Sequence, residues 1–598
     1  MKLNKGLLIT LIIFGIFTMM SLIFFFSIKT LFDAKPIIQP DSALKVTLSG
    51  SITEWYSRDA FSREFEGATQ QVHSIRKALA MAQVDDRIKG VYLRIVSPQM
   101  GWAKADAIKR NIEAFKKSGK WVVAYIDFCD EKSYYVGLAA DEIYLPPNAF
   151  AMMNGFAANV PFLKQTFNKL GIEPQVDNIG KYKSAGDVLK RDNMSPAHRE
   201  ATTSILTEVY NHFVETVCAS RPVEREEFEL MLDKGIYNSN KLENTGLITG
   251  LKHQTEVLEL LKKKVFGESN ADDKKLSFTN VNTYSRLSPS DFGVEGQAQF
   301  ALIYALGTIM SGNSGHSPIN GRTMGAESVV EMLRAAGDND KIKAIIMRVD
   351  SPGGSAQASD EIWAEVARIK QKKPVIISMS DVAASGGYWI SMNSDAIVAE
   401  PLTITGSIGV VISIFDMSGA YEKLGINWET VKVGKFSDVP TDKRPLTPEE
   451  WRRIKKMSRE TYKVFVDKVA DGRETTSDDI EKVAQGRVWT GRQALQRGLV
   501  DSLGGLETAV AIAKEKAGLS EKTVIDWQVY PRTKSFAESL MEKLNVGVLP
   551  NKIVHQTASA FKNNLPADMR VAFEKIMTAA LFKPGEILTL EEQVPDIR

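Results

Sequence analysis

The stretch NDKIKAIIMRVDSPGGS, residues 339–355, decides the fold because the chain contains a second version of it. Residues 85–101 read DDRIKGVYLRIVSPQMG, with the same basic turn, apolar run and Ser-Pro pair. Ile342 aligns with Ile88, which gives an offset of 342 − 88 = 254 residues. A short, continuous apolar run between turn residues predicts a buried strand.

The same offset continues along the chain. Asp395 in YWISMNSDAIVAEP aligns with Asp141 in YYVGLAADEIYLPP, again 254 residues apart. Gly434 in LGINWETVKVGKF aligns with Gly180 in LGIEPQVDNIGKY, also 254 residues apart. Apolar strand-like runs alternate with helical patterns such as ASDEIWAEVARIK, which predicts parallel strands with crossover helices. The sequence therefore predicts two homologous α/β repeats in tandem.

These alignments predict a division of the chain into segments. We expect a first repeat at residues 43–265, a polar linker at 266–295 and a second repeat at 296–515. A C-terminal extension at 516–598 adds one more strand-like run, VIDWQVYP, and amphipathic helical segments. We expect this extension to cover the core or to make a subunit contact.

The N-terminal segment differs from the rest of the chain. Residues 6–28, GLLITLIIFGIFTMMSLIFFFSI, carry no charge and would span roughly 35 Å as a helix, enough for a bilayer core. A cleaved signal peptide is the alternative, but the apolar run is long and no good cleavage pair follows it. We predict a transmembrane anchor at residues 1–29. Lys2 and Lys5 before the run favour an N-terminus in the cytoplasm, with the remainder outside.

Composition excludes several classes of protein. The formal net charge is +2 and no long basic run occurs, so nothing indicates nucleic-acid binding. The two cysteines, Cys129 and Cys218, offer no zinc-ligand spacing, and we expect both to be free. The six histidines are scattered, and no P-loop, dinucleotide fingerprint or HExxH motif is present. We predict no metal and no organic cofactor.

The two repeats differ where chemistry would be expected. Ser385 lies in DVAASGGYWI, between small residues and a glycine pair, and its equivalent in the first repeat is Glu131. Gly353-Gly354 are likewise replaced by Gln99-Met100. Glycines after a strand can turn backbone N–H groups toward a developing oxyanion, so Ser385 is a candidate nucleophile. Alternatively, the glycines only form a turn and Ser385 only packs, but the joint loss of both features favours catalysis.

The candidate base for Ser385 comes from the other repeat, because no histidine lies near this serine in sequence. Lys183, in NIGKYKSAGDVLKRDNMSP, aligns with Ser437, so the second repeat lacks this lysine. Most lysines are solvated, but serine–lysine pairs are a known catalytic variant. The amine must be neutral, and burial between repeats would lower its pKa from about 10.4. Ser407, in TITGSIGV, could orient the amine or could be an ordinary turn serine.

At these residues the chain resembles the signal peptide peptidase A (protease IV) family in its long tandem-repeat bacterial form. The matching features are the N-terminal segment and the motifs YKSAGDVLKRDNMSP, RVDSPGGS, SDVAASGGYWI, TGSIGV and VWTGRQALQRGLVDSLGGL. The match runs from the N-terminus to about residue 520, and each repeat carries its own part of the pattern in order.

The resemblance implies two Clp-protease/crotonase-like α/β repeats and a serine–lysine dyad. By motif position, Ser385 would be the nucleophile, Lys183 the general base and Ser407 the residue that orients the lysine. Gly353 or Gly354 would supply one oxyanion N–H and Ser385 its own. The family degrades cleaved signal peptides and other apolar peptides at the outer face of the bacterial cytoplasmic membrane, which is the periplasmic side. The resemblance also implies a bowl-shaped homotetramer that is held to membrane lipid by the N-terminal helix.

Two other functions are open to such a chain. It could be a membrane-bound, peptide-binding scaffold with a decayed site, although decay would not be expected to spare complementary residues in two repeats. It could also be an acyl-CoA enzyme of the crotonase fold, but this idea rests on fold analogy alone. The sequence leaves open whether Lys183 reaches Ser385 within one chain or between subunits.

Overall fold

The structure, a computed structural model, describes Met19, residues 35–56, 70–271, 273–317 and 321–532, and two short strands, Leu588–Leu590 and Asp596–Ile597. The predicted anchor at residues 1–29 lies outside the described residues except for Met19. In the described part of the chain, no helix combines the length and apolarity needed to cross a membrane.

The first repeat is built on a sheet with parallel central strands. The strand Ile88–Gln99 lies between Ser42–Thr53 and Trp121–Asp130, and pairs with both in parallel. The described strands of this repeat are Ser42–Thr53, Gln70–Gln71, Ile88–Gln99, Trp121–Asp130, Glu142–Leu145, Phe150–Met153, Ala158–Asn159, Glu173–Ile179, Ile236–Asn238, Gly250–Leu251 and Ser277–Asn280. Its described helices are Val72–Val84, Trp102–Lys116, Glu131–Gly137, Lys164–Leu170, Asp187–Lys190, Pro196–Ser220, Arg225–Lys234, Ser239–Asn244, Gln254–Phe266 and Val281–Tyr284, with short 3₁₀ turns at Glu268–Asn270 and Pro289–Phe292.

The second repeat forms an equivalent sheet. Its central strand, Ile342–Ser351, lies between Ala298–Leu306 and Val375–Ala384, and both pairings are parallel. The strands from this repeat onward are Ala298–Leu306, Thr308–Met310, Gly315–Ser317, Gly321–Gly325, Ile342–Ser351, Gly353–Ser355, Val375–Ala384, Ala396–Ala399, Ile404–Gly406, Val410–Asp416, Val488–Thr490, Ser502–Leu503, Ile525–Tyr530, Leu588–Leu590 and Asp596–Ile597. Its described helices are Ala326–Gly337, Ala356–Lys370, Gly386–Trp389, Ser418–Lys423, Pro448–Gly472, Ser477–Val483, Gly491–Leu495 and Leu506–Lys516.

The helices confirm a tandem repeat and show where its spacing changes. Trp102–Lys116 and Ala356–Lys370 have equal lengths and begin 254 residues apart. The long helices Pro196–Ser220 and Pro448–Gly472 also match in length but begin 252 residues apart, since 448 − 196 = 252. The two repeats therefore share one α/β architecture, with a two-residue change in spacing between these helix pairs.

Each repeat has its own core beneath its parallel strands. In the first repeat, the strand IKGVYLRIVSPQ contributes Ile88, Val91, Leu93 and Ile95 to a cluster of fully buried side chains. In the second, Ile345 and other apolar residues of the equivalent strand do the same. Parallel sheets are covered on both faces, which explains why these strands read as continuous apolar runs rather than alternating ones.

Both repeats continue past the predicted boundaries. Ser277–Asn280, inside the predicted linker at 266–295, pairs in parallel with Ser42–Lys45 and is a strand of the first sheet. Ile525–Tyr530, inside the predicted extension at 516–598, pairs in parallel with Ala298–Ile303. The two segments are equivalent edge strands, so each repeat is completed by a strand that sequence patterning assigned to a connecting or terminal segment.

A third sheet joins the two repeats. Glu173–Ile179 of the first repeat pairs antiparallel with Val410–Asp416 of the second along its whole length. Leu588–Leu590 also belongs to this sheet and pairs with Gly353–Ser355. This shared sheet brings the chain just after Ile179, which includes Lys183, against the second repeat. As predicted, both Cys129 and Cys218 are free thiols.

Candidate active site

Ser385 stands at the end of a central strand of the second repeat. The strand Val375–Ala384 stops immediately before it, and the short helix Gly386–Trp389 begins immediately after it. Its backbone has φ +55° and ψ −114°, a conformation that non-glycine residues rarely adopt. Such backbone strain is concentrated at functional sites. The Ser385 N–H donates to the carbonyl oxygen of Gly406 at 2.8 Å, which holds the serine against the neighbouring strand.

Lys183, Ser385 and Ser407 come together in one buried cluster. The Lys183 amine donates to Ser385 Oγ at 2.8 Å and to Ser407 Oγ at 2.8 Å. It also lies 3.3 Å from the Ser407 carbonyl oxygen. All three residues are fully buried. Lys183 therefore reaches Ser385 within a single chain, across the boundary between the repeats.

The loop that carries Lys183 is fixed by its own backbone bonds. The Lys183 N–H donates to the Gly180 carbonyl at 3.1 Å, which closes a tight turn after the shared sheet. Asn178 Nδ2 donates to the Lys183 carbonyl oxygen at 2.7 Å. Lys190 in turn donates to Asn178 Oδ1 at 2.5 Å, so the side chain of Asn178 is itself held in place.

A turn at residues 485–487 supports the lysine from the other side, and sequence reasoning did not identify it. The Tyr182 N–H donates to the Gln485 carbonyl at 2.8 Å. Gly486 has φ +72°, and a β-carbon there would lie 2.4 Å from Lys183 Cβ. Only a glycine fits between this turn and the lysine loop.

The same turn also holds the segment that carries Ser407. The Ser407 N–H donates to the Arg487 carbonyl at 2.8 Å, and the Gly486 N–H donates to the Ile408 carbonyl at 2.8 Å. The Arg487 guanidinium lies 4.7 Å from the centre of the Tyr182 ring. The 485–487 turn thus binds both the loop that carries Lys183 and the segment that carries Ser407, and this fixes the distance between the two.

Gly353 and Gly354 form the strand next to Ser385. Gly353 has φ +99°, and a β-carbon on Gly354 would lie 1.9 Å from the Ile309 carbonyl oxygen. Residues with a side chain would therefore be strained at position 353 and would clash with the Ile309 backbone at position 354. The Gly353 N–H donates to Ser351 Oγ at 3.1 Å.

One expectation for the oxyanion donors needs correction. The N–H of Ser385 was expected to face the oxyanion, but it is engaged by the Gly406 carbonyl in the neighbouring strand. The following residue, Gly386, opens a helix, and the first N–H groups of a helix have no acceptor within that helix.

A segment from the C-terminus lies in the groove beside these residues. Leu588–Leu590 runs antiparallel to Gly353–Ser355, with Leu590 opposite Gly353 and Leu588 opposite Ser355. The Leu588 side chain is buried in an apolar cluster with Ala185, Val411 and Val176. The groove therefore accepts an extended chain with an apolar side chain, and both repeats supply its lining.

The first repeat has no equivalent serine. Glu131 takes that position, and its Oε1 accepts N–H groups from Asn154 at 2.8 Å and Gly155 at 3.0 Å. Burial raises the pKa of Glu131 to about 6 despite these hydrogen bonds. A carboxylate held by two backbone amides thus replaces the hydroxyl group, so the candidate nucleophile lies only in the second repeat, while the candidate base Lys183 comes from the first.

A serine hydroxyl in contact with a buried amine, at the end of a strand in a parallel α/β sheet, is an arrangement that serine hydrolases use. Models of two protein families match the chain: Peptidase family S49 at residues 114–266 and 367–520, and Clp protease at residues 317–397. The chain belongs to peptidase family S49 and is a serine peptidase.

Three relatives agree with this assignment. The chain is 41% identical to the chloroplastic serine protease SPPA of Arabidopsis thaliana, over 81% of this chain and 70% of that protein. It is 33% identical to protease 4 of Salmonella typhi, over 86% of this chain and 85% of that protein. It is 31% identical to protease 4 of Haemophilus influenzae, over 75% and 73% of the two chains.

Proposed function

We propose that the chain is a membrane-anchored endopeptidase in which Ser385 is the nucleophile and Lys183 the general base. The observation that carries this proposal is the 2.8 Å contact between the Lys183 amine and Ser385 Oγ in a fully buried cluster. The contact also counts against a decayed scaffold, because the complementary residues of the two repeats meet in reacting geometry. Loss of peptide hydrolysis in Ser385→Ala and Lys183→Met tests the proposal.

The mechanism follows from this geometry. Neutral Lys183 takes the proton of Ser385 Oγ as that oxygen attacks the scissile carbonyl carbon. The resulting ammonium then gives the proton to the leaving amine, and an acyl-enzyme forms. Water hydrolyses the acyl-enzyme, with Lys183 again as the base. Burial favours the neutral amine that the first step needs.

Ser407 is proposed to orient the lysine. Its hydroxyl lies 2.8 Å from the amine, on a segment that the 485–487 turn holds in place. A base that is held by a third group is the general arrangement of activated nucleophiles. The lysine lone pair is thereby directed at Ser385 Oγ rather than left to rotate.

For the oxyanion we propose a backbone N–H from Gly353 or Gly354 together with that of Gly386. Gly353 would take this role by exchanging its present acceptor, Ser351 Oγ at 3.1 Å, for the oxyanion. The Gly353–Ser355 strand lies beside Ser385, and Gly386 follows it directly. Backbone N–H groups that point at the developing charge are worth several kcal/mol in acyl transfer, about 3–4 for one donor. No metal or organic cofactor is needed for these steps.

The proposed substrate is an extended apolar peptide that adds as a strand to Gly353–Ser355. The position of Leu588–Leu590 supports this binding mode, because it pairs with the same strand and buries an apolar side chain. Added strands take affinity from main-chain hydrogen bonds and specificity from side-chain pockets. Cleaved signal peptides fit this description, since their cores are apolar. The uncharged run at residues 6–28 supports an anchor that would hold the site at the periplasmic face of the bacterial cytoplasmic membrane.

We further propose that the chain assembles as a homotetramer through repeated use of the shared-sheet contact. Within the chain, Glu173–Ile179 pairs with Val410–Asp416. By the 254-residue offset, the counterparts of these strands are residues 427–433 and 156–162. Residues 427–433 adopt neither helix nor strand, and two of their valines, Val431 and Val433, are 93% and 95% exposed.

The counterpart edge on the first repeat, residues 156–162, is partly exposed. Within the described residues, Ala158–Asn159 pairs with the short C-terminal strand Asp596–Ile597. Pairing of residues 427–433 of one copy with 156–162 of the next would repeat the contact that already joins the two halves of the chain. A head-to-tail contact of this kind closes into a ring when its rotation allows.

A further inference from the structure

A second lysine of the first repeat, Lys104, is buried beside the candidate site. Its amine lies 2.6 Å from Asp350 Oδ2 and 2.5 Å from Asp381 Oδ2, and both carboxylates belong to the second repeat. The Lys104 side chain is 8% exposed. Buried charges of this kind persist only where they are paired, so the contact is a specific connection between the two repeats.

Comparison of the repeats shows that this connection is built from complementary differences. By the 254-residue offset, Lys104 corresponds to Ala358, and Asp350 corresponds to Val96. The first repeat therefore has the lysine without the matching aspartate, and the second has the aspartate without the lysine. Lys183 and Ser385 are distributed between the repeats in the same way.

The third member of the cluster is present in both repeats but has different partners. Asp381 corresponds to Asp127, which pairs with Arg94 at 2.8 Å in a partly exposed site. The equivalent arginine of the second repeat, Arg348, pairs instead with Glu54 at 2.7 Å. Asp381 therefore pairs with Lys104 rather than with Arg348. The ion pair within the first repeat, Arg94–Asp127, is thus replaced at the equivalent aspartate by one between the repeats.

Both aspartates lie on segments that lead directly to reacting groups. Asp350 is three residues before Gly353, and Asp381 is four residues before Ser385. Asp350 Oδ1 also accepts the Val382 N–H at 3.1 Å, which ties the two segments to each other. Any shift of Lys104 would therefore change the distance between the Gly353–Ser355 strand and Ser385.

Lys104 is itself held on a rigid element. Asp381 accepts the N–H groups of Gly101 at 3.0 Å and of Lys104 at 2.9 Å, which caps the helix Trp102–Lys116. Burial disfavours the Lys104 ammonium, but the charges of Asp350 and Asp381 outweigh it and raise the pKa of Lys104 above its ordinary value. The lysine is thus a fixed cation at the N-terminus of a helix, a place that otherwise favours anions.

We propose that Lys104 is a positioning residue, which sets the register between the Gly353–Ser355 strand and Ser385 through Asp350 and Asp381. This inference rests on the proposed function, since it assigns these two segments to oxyanion binding and nucleophilic attack. The first repeat then supplies two lysines to the second, one that exchanges a proton and one that fixes geometry. A misplacement near 1 Å can lower a catalytic rate by about a hundredfold.

The test is steady-state hydrolysis of an apolar, signal-sequence-derived peptide by the detergent-solubilised full chain. We expect Lys104→Met to lower kcat by about 10- to 100-fold, with KM within about twofold of wild type, because the Gly353–Ser355 strand keeps its peptide-binding groups and only its position relative to Ser385 changes. Asp127→Asn, which removes the equivalent carboxylate of the first repeat, is the matched control and is expected to leave kcat within about twofold.

Stability is measured alongside activity because removal of one partner from a buried ion pair can unfold a protein. If Lys104→Met does not fold, Asp350→Asn tests the inference instead, because this variant keeps the Lys104–Asp381 ion pair. The same fall in kcat is expected for it. The inference would be overturned if folded Lys104→Met or Asp350→Asn had the wild-type kcat. It would also be overturned if the fall in kcat were no larger than that of Asp127→Asn. Ser385→Ala in the same assay distinguishes failure of the Lys104 inference from failure of the proposed function. If Ser385→Ala retains activity, the proposed function itself is overturned.

Discussion

The backbone of Gly486 lies against Lys183 so closely that a β-carbon on the glycine would be 2.4 Å from Lys183 Cβ. The glycine belongs to the turn that also binds the Ser407 backbone through Arg487. The lysine and the serine proposed to orient it are thus held by one short segment, 485–487, far from both in sequence. This support explains how a flexible side chain is kept at hydrogen-bond distance from Ser385.

The first prediction concerns this close approach. Gly486→Ala should displace Lys183 and lower kcat for peptide hydrolysis by at least about tenfold, because a shift near 1 Å is costly in a catalytic site. Gly498→Ala is the matched control: its φ of +69° is nearly the same, but no atom lies within 4 Å of the added carbon. Equal kcat values for the two variants would show that the contact with Lys183 has no catalytic consequence.

The second prediction concerns the strand in the groove. Deletion of residues 588–598 removes the Leu588–Leu590 strand that pairs with Gly353–Ser355, so a peptide no longer competes with it. We expect KM to fall several-fold while kcat stays within about twofold. Deletion of 591–598 leaves the strand in place and should leave KM unchanged. A KM that rises in the longer deletion would mean that the strand builds the groove rather than occupying it.

The third prediction concerns the subunit contact. Val431→Asp combined with Val433→Asp should convert the proposed tetramer into smaller species, because charges would disfavour strand pairing with residues 156–162 of the next copy. Leu230→Asp, at a half-exposed apolar position elsewhere, is the control. Light scattering of the solubilised full chain measures the mass. A wild-type chain that is monomeric at all concentrations would remove the basis of the assembly proposal.

The fourth prediction concerns Glu131 and the direction of its pH effect. Its pKa is raised from 4.5 to about 6, so the folded state binds the proton more tightly than the unfolded state. Stability from the protonated form is present below about pH 4.5 and is lost as the pH rises through 6. Glu131→Gln keeps the acceptor oxygen and should raise the free energy of unfolding by about 1–2 kcal/mol at pH 8, with little gain at pH 4.5.

The measurement is urea unfolding at the two pH values, with Glu460→Gln as an exposed control. An equal gain at pH 4.5 and pH 8 would show that the side chain packs better as an amide rather than that its charge is destabilising. A loss at pH 8 would mean that the two amides from Asn154 and Gly155 depend on the charge.

Much of the site could be predicted from sequence, because duplication makes differences between the repeats visible. Ser385 and Lys183 stood out as differences between the repeats, and Ser407 as a small polar residue after a strand. The structure brings the Lys183 amine within hydrogen-bond distance of both serines. Gly486 was not found because the offset has fallen to 252 at that point, where its counterpart is Lys234. With that change recognised, the pair Gly486 and Lys234 would have been another difference to examine.

Other features depend on neighbours that no local pattern specifies. The Ser385 N–H is bound by Gly406, and this pairing depends on how two strands align in space. The edge strand Ser277–Asn280 is short and polar, so its sequence resembles a linker until Ser42–Lys45 pairs with it. Lys104 carries no motif, and its role emerges only when Asp350 and Asp381 are seen around it.

The central claim is that Lys183, as a neutral amine, activates Ser385. The most direct measurement is kcat/KM for an apolar peptide between pH 6 and 10, for the wild-type chain, Ser385→Ala and Lys183→Met. The account predicts that the wild-type value rises through an apparent pKa below 10.4 and that both variants lose at least about a thousandfold. A flat wild-type profile, or wild-type activity in either variant, would contradict it.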